Sequence, residues 1–255
     1  MFSESNGYER FMGRWSRLLA PLFVDFAGVR DGERVLDVGC GTGAVSFAAA
    51  AIPGVNAVGI DRSRAFVAAA RRADGTRVRF CVGDAAALPM PDDDFDRAVS
   101  MLVLNFVPDA AAASAEMIRV TRPNGVVAAA VWDYREGMQM LRAFWDAAVA
   151  LDPGAAARDE GQMPLCARGE LPQLWRSLSL HDVQAAGLTV TSAFASFADY
   201  WQPFLAGQGP AGAYVCGLSE DARRRLEARL RERLSATGSG FTLTARAWAV
   251  RGVVT

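Results

Sequence analysis

The sequence predicts an α/β fold, a mostly parallel sheet of about seven strands with helices on both faces. Three observations predict it. Short apolar runs alternate with helical patterns from about residue 33 to 133. Four of those runs end in polar or acidic residues: Asp37, Asp61, Asp84 and Ser100. A fifth run, Gly125 to Trp132, is apolar throughout, as expected of a strand covered on both faces.

The elements follow in order. Tyr8 to Phe26 carries Phe11, Trp15, Leu18, Leu19, Leu22, Phe23 and Phe26 mostly at helical spacing, with Pro21 a candidate break. Val35 to Val38 is the first strand, and Ala44 to Ala50 the helix after it. Ala57 to Ile60 is the second strand, followed by a helix over Ala65 to Ala73. Val78 to Val82 and Asp96 to Ser100 are the third and fourth strands. Ala110 to Val120 is a helix that stops before the turn signal Pro123-Asn124-Gly125. Gln139 to Leu151 reads as helix, Asp152 to Cys166 as loop and Leu171 to Leu180 as a short helix. Ser179 to Ala186 reads as helical up to a stop at Gly187. Leu188 to Phe197 alternates and reads as a strand. Asp199 to Leu205 reads as an aromatic helix, and Gly207 to Gly212 as a flexible loop. Glu220 to Leu234 repeats leucine every four residues, and Phe241 to Val250 is the last strand. Residues 1–255 read as a single domain, with an N-terminal helical segment over 1–30 and cap insertions at about 137–186 and 198–218.

Composition narrows the function classes. The chain has 255 residues, of which 51% are hydrophobic, enough for a well-packed α/β core. A formal net charge of -1 argues against an electrostatic nucleic-acid binder. All the basic side chains are arginine, which reads as codon bias rather than function. Cys40, Cys81, Cys166 and Cys216 are widely spaced with no Cys-x-x-Cys, so no metal site is expected. The first residues lack a basic-then-apolar leader, and no apolar run is long enough to span a membrane. The expectation is a soluble cytoplasmic protein, monomer or homodimer, with no membrane or nucleic-acid partner.

The chemistry is concentrated in Val35-Leu36-Asp37-Val38-Gly39-Cys40-Gly41-Thr42-Gly43. A buried strand breaks into a glycine turn and opens a helix. Alternate glycines let a ligand approach the backbone. Asp37 ahead of the turn repels phosphates and favours cations and N–H donors. Asp61 ends the next strand about 20 residues on, where a carboxylate can bind two ribose hydroxyls.

These motifs, VLDVGCGTG, GID, GDAAALPMPDDDFD and SMLVLNFVPD, resemble the class I S-adenosylmethionine-dependent methyltransferases. The nearest branch is the broad methyltransferase type 11 group that includes the ubiquinone and menaquinone biosynthesis methyltransferases. The likeness is strong over residues 30 to 135. It implies a Rossmann-like sheet whose last strand inserts antiparallel between the fifth and sixth. It also implies S-adenosylmethionine as cofactor, S-adenosylhomocysteine as product and a small or medium organic acceptor. By the same resemblance, Gly39 and Gly41 admit the amino-acid end of the donor. Asp37 sits behind them and accepts from the glycine loop or the donor ammonium. Asp61 chelates the ribose, Arg62 packs on the adenine, and Asp84 with the Ala85 N–H reads the adenine edge. Ser100, Met101 and Leu102 line the floor. Tyr8 and Arg14 close over the cofactor. The plainer reading of the three aspartates is strand-end or turn capping.

The acceptor side is less marked. Asn105, Asp133 and Tyr134 are the catalytic candidates, because they follow the fourth and fifth strands at the ligand rim. Trp15, Asn105, Trp132, Tyr200, Trp201 and Tyr214 are substrate-binding candidates. The aromatics around Gly207 to Gly212 read as a lid with glycine hinges, or alternatively as core. His181, the one histidine, reads as a structural residue on a helix. Two other readings stand beside the enzyme: a non-catalytic donor-binding protein, and a nicotinamide-dependent oxidoreductase. The latter wants G-x-G-x-x-G, whereas this turn is G-x-G-x-G with a carboxylate in front.

Overall fold

Glycine and acidic punctuation divides the apolar runs into strands, as a computed structural model of the chain shows. The structure describes residues 9–73, 78–234 and 240–255. Its strands are β1 (Arg34–Val38), β2 (Asn56–Asp61), β3 (Arg79–Val82), β4 (Phe95–Met101), β5 (Thr121–Trp132), β6 (His181–Phe194) and β7 (Phe241–Val253). They form a seven-stranded sheet in the order β3-β2-β1-β4-β5-β7-β6. The first five pair in parallel, and β7 enters between β5 and β6, antiparallel to β5. That is the Rossmann-like arrangement expected from the sequence.

The chain divides into two compact units. The sheet unit comprises Ser16–Trp132, Pro164–Leu188 and Ala247–Thr255. Its helices are α1 (Arg14–Ala27, of which Arg14 and Trp15 fall in the other unit), α2 (Ala44–Ala50), α3 (Arg64–Ala73), α4 (Ala110–Val120) and, after α5 (Gln139–Leu151) of the other unit, α6 (Glu170–Ser177). Leu36, Val38, Ala98 and Val127 to Val131 are enclosed at its centre. A smaller cluster of Cys40, Ala57, Val67, Ala70, Val78 and Phe80 packs α3 onto β2 and β3.

Two arginines from separate strands close the C-terminal end of α1. Arg97 on β4 donates to the Ala27 carbonyl at 2.7 Å, and Arg251 on β7 donates to the Phe26 carbonyl at 2.9 Å. These carbonyls have no partner within the helix, and cations there complement its dipole. Pro21 lies inside α1 and does not end it. It is on the exposed face, where water can serve the carbonyl that a proline ring cannot.

The helical unit comprises Met1–Trp15, Asp133–Met163 and Thr189–Arg246. It holds α5, α7 (Phe197–Leu205), α8 (Gly209–Cys216) and α9 (Glu220–Arg233), with a π-helical turn at Glu9–Gly13. Its core is aromatic. Phe144 stacks on Phe204 at 4.7 Å, Phe11 meets Phe204 edge-on at 5.0 Å, and Tyr214 lies against Trp145 at 5.6 Å.

Several local expectations are corrected. Residues 181–186 are the first part of β6, not a helix: pairing beside β7 overrides the helical preference of Gln184, Ala185 and Ala186. His181 is thus an exposed residue at a strand start. The loop read over Gly207 to Gly212 already contains the start of α8, with Pro210 in its first turn. Pro123-Asn124-Gly125 lies within β5 as an irregularity, where the register against β4 shifts and Asn124 takes a φ of 64°. The loop over 152–166 contains short 3₁₀ turns at Pro153–Arg158 and Glu160–Gln162. The stretch 137–186 is divided between the units. Its latter part belongs to the sheet unit, where Trp175 donates its indole N–H to the Val127 carbonyl at 3.0 Å. Among the described residues, no helix is long and apolar enough to cross a membrane.

Candidate cofactor site at the carboxyl rim of the sheet

The glycine turn after β1 hooks over the end of β2. The Gly39 and Cys40 N–H groups both donate to the Ile60 carbonyl, at 2.7 and 2.9 Å. Gly39 has a φ of 76°, and a Cβ there would collide with the Val103 side chain. Its glycine is required by the close approach of Val103, a neighbour that the sequence reading missed. Gly41 differs: at a φ of 53°, a Cβ would have nothing within 4 Å. The backbone at Gly41 is the part of the turn open to a ligand.

Two carboxylates lie close enough to the turn to act on Cys40. Asp61 closes β2 and sits half-buried. One of its oxygens accepts the Gly41 N–H at 2.9 Å and the other accepts the Ser63 N–H at 2.7 Å. Burial pushes its carboxyl up, against these N–H bonds and the nearby Arg62. Asp37 is 2% exposed. It accepts the Ser46 hydroxyl at 2.6 Å and the Ser46 N–H at 3.0 Å. It therefore ties the end of β1 to the first turn of α2, rather than taking bonds from the glycine loop. Ser46, nine residues on in sequence, was not singled out. Its place in the first turn after the glycines was the only signal.

Burial pushes the Asp37 carboxyl up from its ordinary 3.8 to about 7, helped by the Asp61 charge and opposed by the Ser46 bonds. The folded chain therefore holds an extra proton between those values. The stability this contributes is present below pH 3.8 and is lost as pH rises through about 7. Asp37→Asn keeps an acceptor for Ser46 and removes the charge. Its urea midpoint is expected to match the wild type near the acid end of that window. Above neutrality its unfolding free energy should exceed that of the wild type by about 1 kcal/mol or more. A gap independent of pH would show that the buried charge has no such cost.

The remaining rim residues divide by exposure. Ser100 is enclosed and its hydroxyl donates to the Val38 carbonyl at 2.9 Å, joining β4 to β1. Met101 is buried, and Leu102 turns the chain at a φ of 66° while its N–H meets the Ala130 carbonyl at 2.7 Å. Asn105 is buried in the Leu104–Phe106 turn. Arg62 and Asp84 are exposed and Ala85 is half-buried. Asp84 accepts the Ala86 N–H at 3.0 Å. The loop beyond it is held by Arg119, which donates to the Leu88 and Met90 carbonyls and pairs with Glu116 and Asp92. Trp132, at the end of β5, is 1% exposed.

Other sequence candidates lie in the helical unit and are committed there. Arg14 pairs with Asp199 at 2.6 Å and lies over the Phe194 ring at 4.5 Å. Trp15 is enclosed and donates to the Met140 sulfur at 3.4 Å. Asp133 is 2% exposed and bound by Arg246 at 2.5 Å and by the Glu136 N–H at 3.0 Å. Tyr134 is buried. Tyr200 donates to the Met140 carbonyl at 2.9 Å, and burial pushes its phenol up. Tyr200, Trp201 and Tyr214 form the unit's aromatic core rather than a hinged lid, because their rings pack on Phe144, Phe197 and Phe204. Tyr8 lies outside the described residues.

A parallel sheet with a glycine turn and a strand-end carboxylate at its carboxyl rim defines the class of Rossmann-like ligand-binding folds. Residues 36–129 match a family model described as a methyltransferase domain. Over that stretch, less than half of its length, the chain is similar to methyltransferase domains. It is 42% identical over 109 residues to the demethylmenaquinone methyltransferase of Beutenbergia cavernae, covering 43% of this chain and 45% of that one. It is 38% identical over 117 residues to the 2-methyl-6-phytyl-1,4-hydroquinone methyltransferase of a Synechocystis species, covering 45% and 37%. The chain thus spans less than half the length of these curated relatives. The crystal structure of the YcgJ protein from Bacillus subtilis shares the fold, with a TM-score of 0.60 and 19% identity over 94% of this chain and 98% of that one.

Proposed function

We propose that the chain binds S-adenosylmethionine at the Gly41 turn and transfers its methyl group to a small or medium organic acceptor. The observation that carries this reading is the open Gly41 backbone held by the Asp61 carboxylate, with Asp37 buried at the end of β1 ahead of the turn. A pyrophosphate would be repelled there, whereas an ammonium, a sulfonium or a pair of hydroxyls would be held. The residues present therefore fit the cofactor. Each Asp61 oxygen carries one backbone N–H and keeps lone-pair capacity for the ribose hydroxyls. On this reading Arg62, Asp84 and Ala85 bracket the adenine, and Met101 and Leu102 floor the site. S-adenosylmethionine supplies a methyl already activated by its sulfonium charge. The protein's part is then to orient donor and acceptor in line and to exclude water. The demethylmenaquinone and hydroquinone methyltransferases among the relatives support an organic acceptor.

The test is calorimetric titration with S-adenosylmethionine, S-adenosylhomocysteine and NAD in parallel. Micromolar binding of the first two without NAD is expected; binding of NAD alone would overturn the reading.

The two glycines separate ligand from fold. Gly41→Ala places a methyl in open space, so its folding cost is the left-handed φ alone, about 1–2 kcal/mol. It should nevertheless lose most of its affinity for S-adenosylhomocysteine. Gly39→Ala drives into Val103 and should lower the melting temperature further than Gly41→Ala does. Equal melting losses, with Gly41→Ala binding as well as wild type, would place the ligand elsewhere.

A further inference from the structure

Four tryptophans are fully enclosed: Trp15, Trp132, Trp145 and Trp175. Three give their indole N–H to protein. Trp15 donates to the Met140 sulfur, Trp145 to the Glu160 carboxylate and Trp175 to the Val127 carbonyl. The Trp132 N–H finds no acceptor among the described residues. Buried N–H groups are almost always met, and an exception calls for a ligand or a specific cause.

Its position supplies the ligand. Asp37 is level with Val99 on β4, and Val99 with Ala128 on β5. Trp132 stands four residues beyond Ala128, about 13 Å further toward the carboxyl end, and β1 has already ended at Val38. Two strand spacings, about 10 Å, separate β5 from β1, and even-numbered β5 residues share the sheet face of Asp37. The indole therefore stands past the rim, on the face where the glycine turn lies. Ala128 and Ala130 on the same face, Met101 opposite Ala130, and the register partner Ala247 on β7 are buried and apolar.

We propose that the Trp132 indole N–H donates to an uncharged oxygen of the methyl acceptor. The acceptor class is then a largely apolar ring bearing a hydroxyl or carbonyl. A lone N–H among apolar groups has nothing to accept from an ammonium. A carboxylate would be buried among apolar groups without a counter-charge. The inference rests on the methyltransferase reading, and the experiment separates the two.

The experiment uses the full chain with ¹⁵N-tryptophan, the Trp132 indole resonance being assigned by its loss in Trp132→Phe. The protein is saturated with S-adenosylhomocysteine and then titrated anaerobically with 1,4-naphthohydroquinone. The Trp132 indole proton should move downfield with the hydroquinone, well beyond any shift that S-adenosylhomocysteine causes. Trp132→Phe should lose about tenfold in hydroquinone affinity, the scale of one hydrogen bond, while holding S-adenosylhomocysteine as tightly as wild type. Three results overturn the proposal: a full shift with S-adenosylhomocysteine alone, an unmoved resonance with the hydroquinone, or equal hydroquinone affinity in Trp132→Phe. Failure of S-adenosylhomocysteine to bind, read by calorimetry beforehand, would instead remove the methyltransferase reading on which the proposal stands.

Discussion

Asp61→Ala is expected to weaken S-adenosylmethionine binding by about 100-fold or more while leaving a folded protein. Each Asp61 oxygen already holds one backbone N–H, from Gly41 or Ser63. Losing these bonds costs about 1–2 kcal/mol of stability, a fall of a few degrees in melting temperature. The ligand loses more. On the proposed reading, two ribose hydroxyls would lose a charged acceptor, and the freed Gly41 N–H would no longer fix the turn beside the donor. Calorimetry and a thermal melt on the same sample check both halves. Unchanged affinity in a folded variant would remove Asp61 from the site.

Arg246→Ala is expected to destabilise the helical unit by about 2–4 kcal/mol. Asp133 is enclosed, and both guanidinium bonds from Arg246 go to one of its oxygens, at 2.5 and 3.0 Å. Removing the arginine strands the charge. The estimate stays at the low end because Arg246 is itself 35% exposed, so water reaches the pair from one side. The double variant Asp133→Asn with Arg246→Ala removes the stranded charge and should recover part of the loss in urea unfolding. The same geometry gives Asp133 a structural ion pair. Asp133→Asn alone should disturb stability before it disturbs methyl transfer, and a catalytic defect with unchanged unfolding would reverse that view.

The parts of the fold that were legible in the sequence are those written in local chemistry. β1, the glycine turn and α2 are spelled out by apolar residues, glycines and alanines in unbroken order. The helix over Ala110 to Val120 carries its own N-cap, Asp109, which accepts the Ala112 N–H at 2.8 Å. What escaped is set by tertiary partners. Nothing near Gln184 announces a strand; its neighbour in the sheet does. Nothing near Arg97 or Arg251 announces that they close the same helix end. Asp133 looked free because its partner lies 113 residues away. The aromatic residues from Tyr200 to Tyr214 were ambiguous for a further reason: the same hydrophobic spacing serves a lid or a core. Packing against Phe144 and Phe204, which decides between them, is not a property of the segment itself.

The place of β7 has a consequence for synthesis. It follows every other strand in sequence, yet it occupies an interior position between β5 and β6. A nascent chain leaving the ribosome therefore presents the β5 edge unpaired until residues 241–253 emerge. That edge is Val126 to Trp132, an uncharged apolar run of the kind that recruits other strands. Arg251, which also closes the end of α1, arrives in the same late stretch. Completion of the sheet and of its first helix thus falls to one segment, and a chaperone that shelters the β5 edge during translation would act at the vulnerable moment.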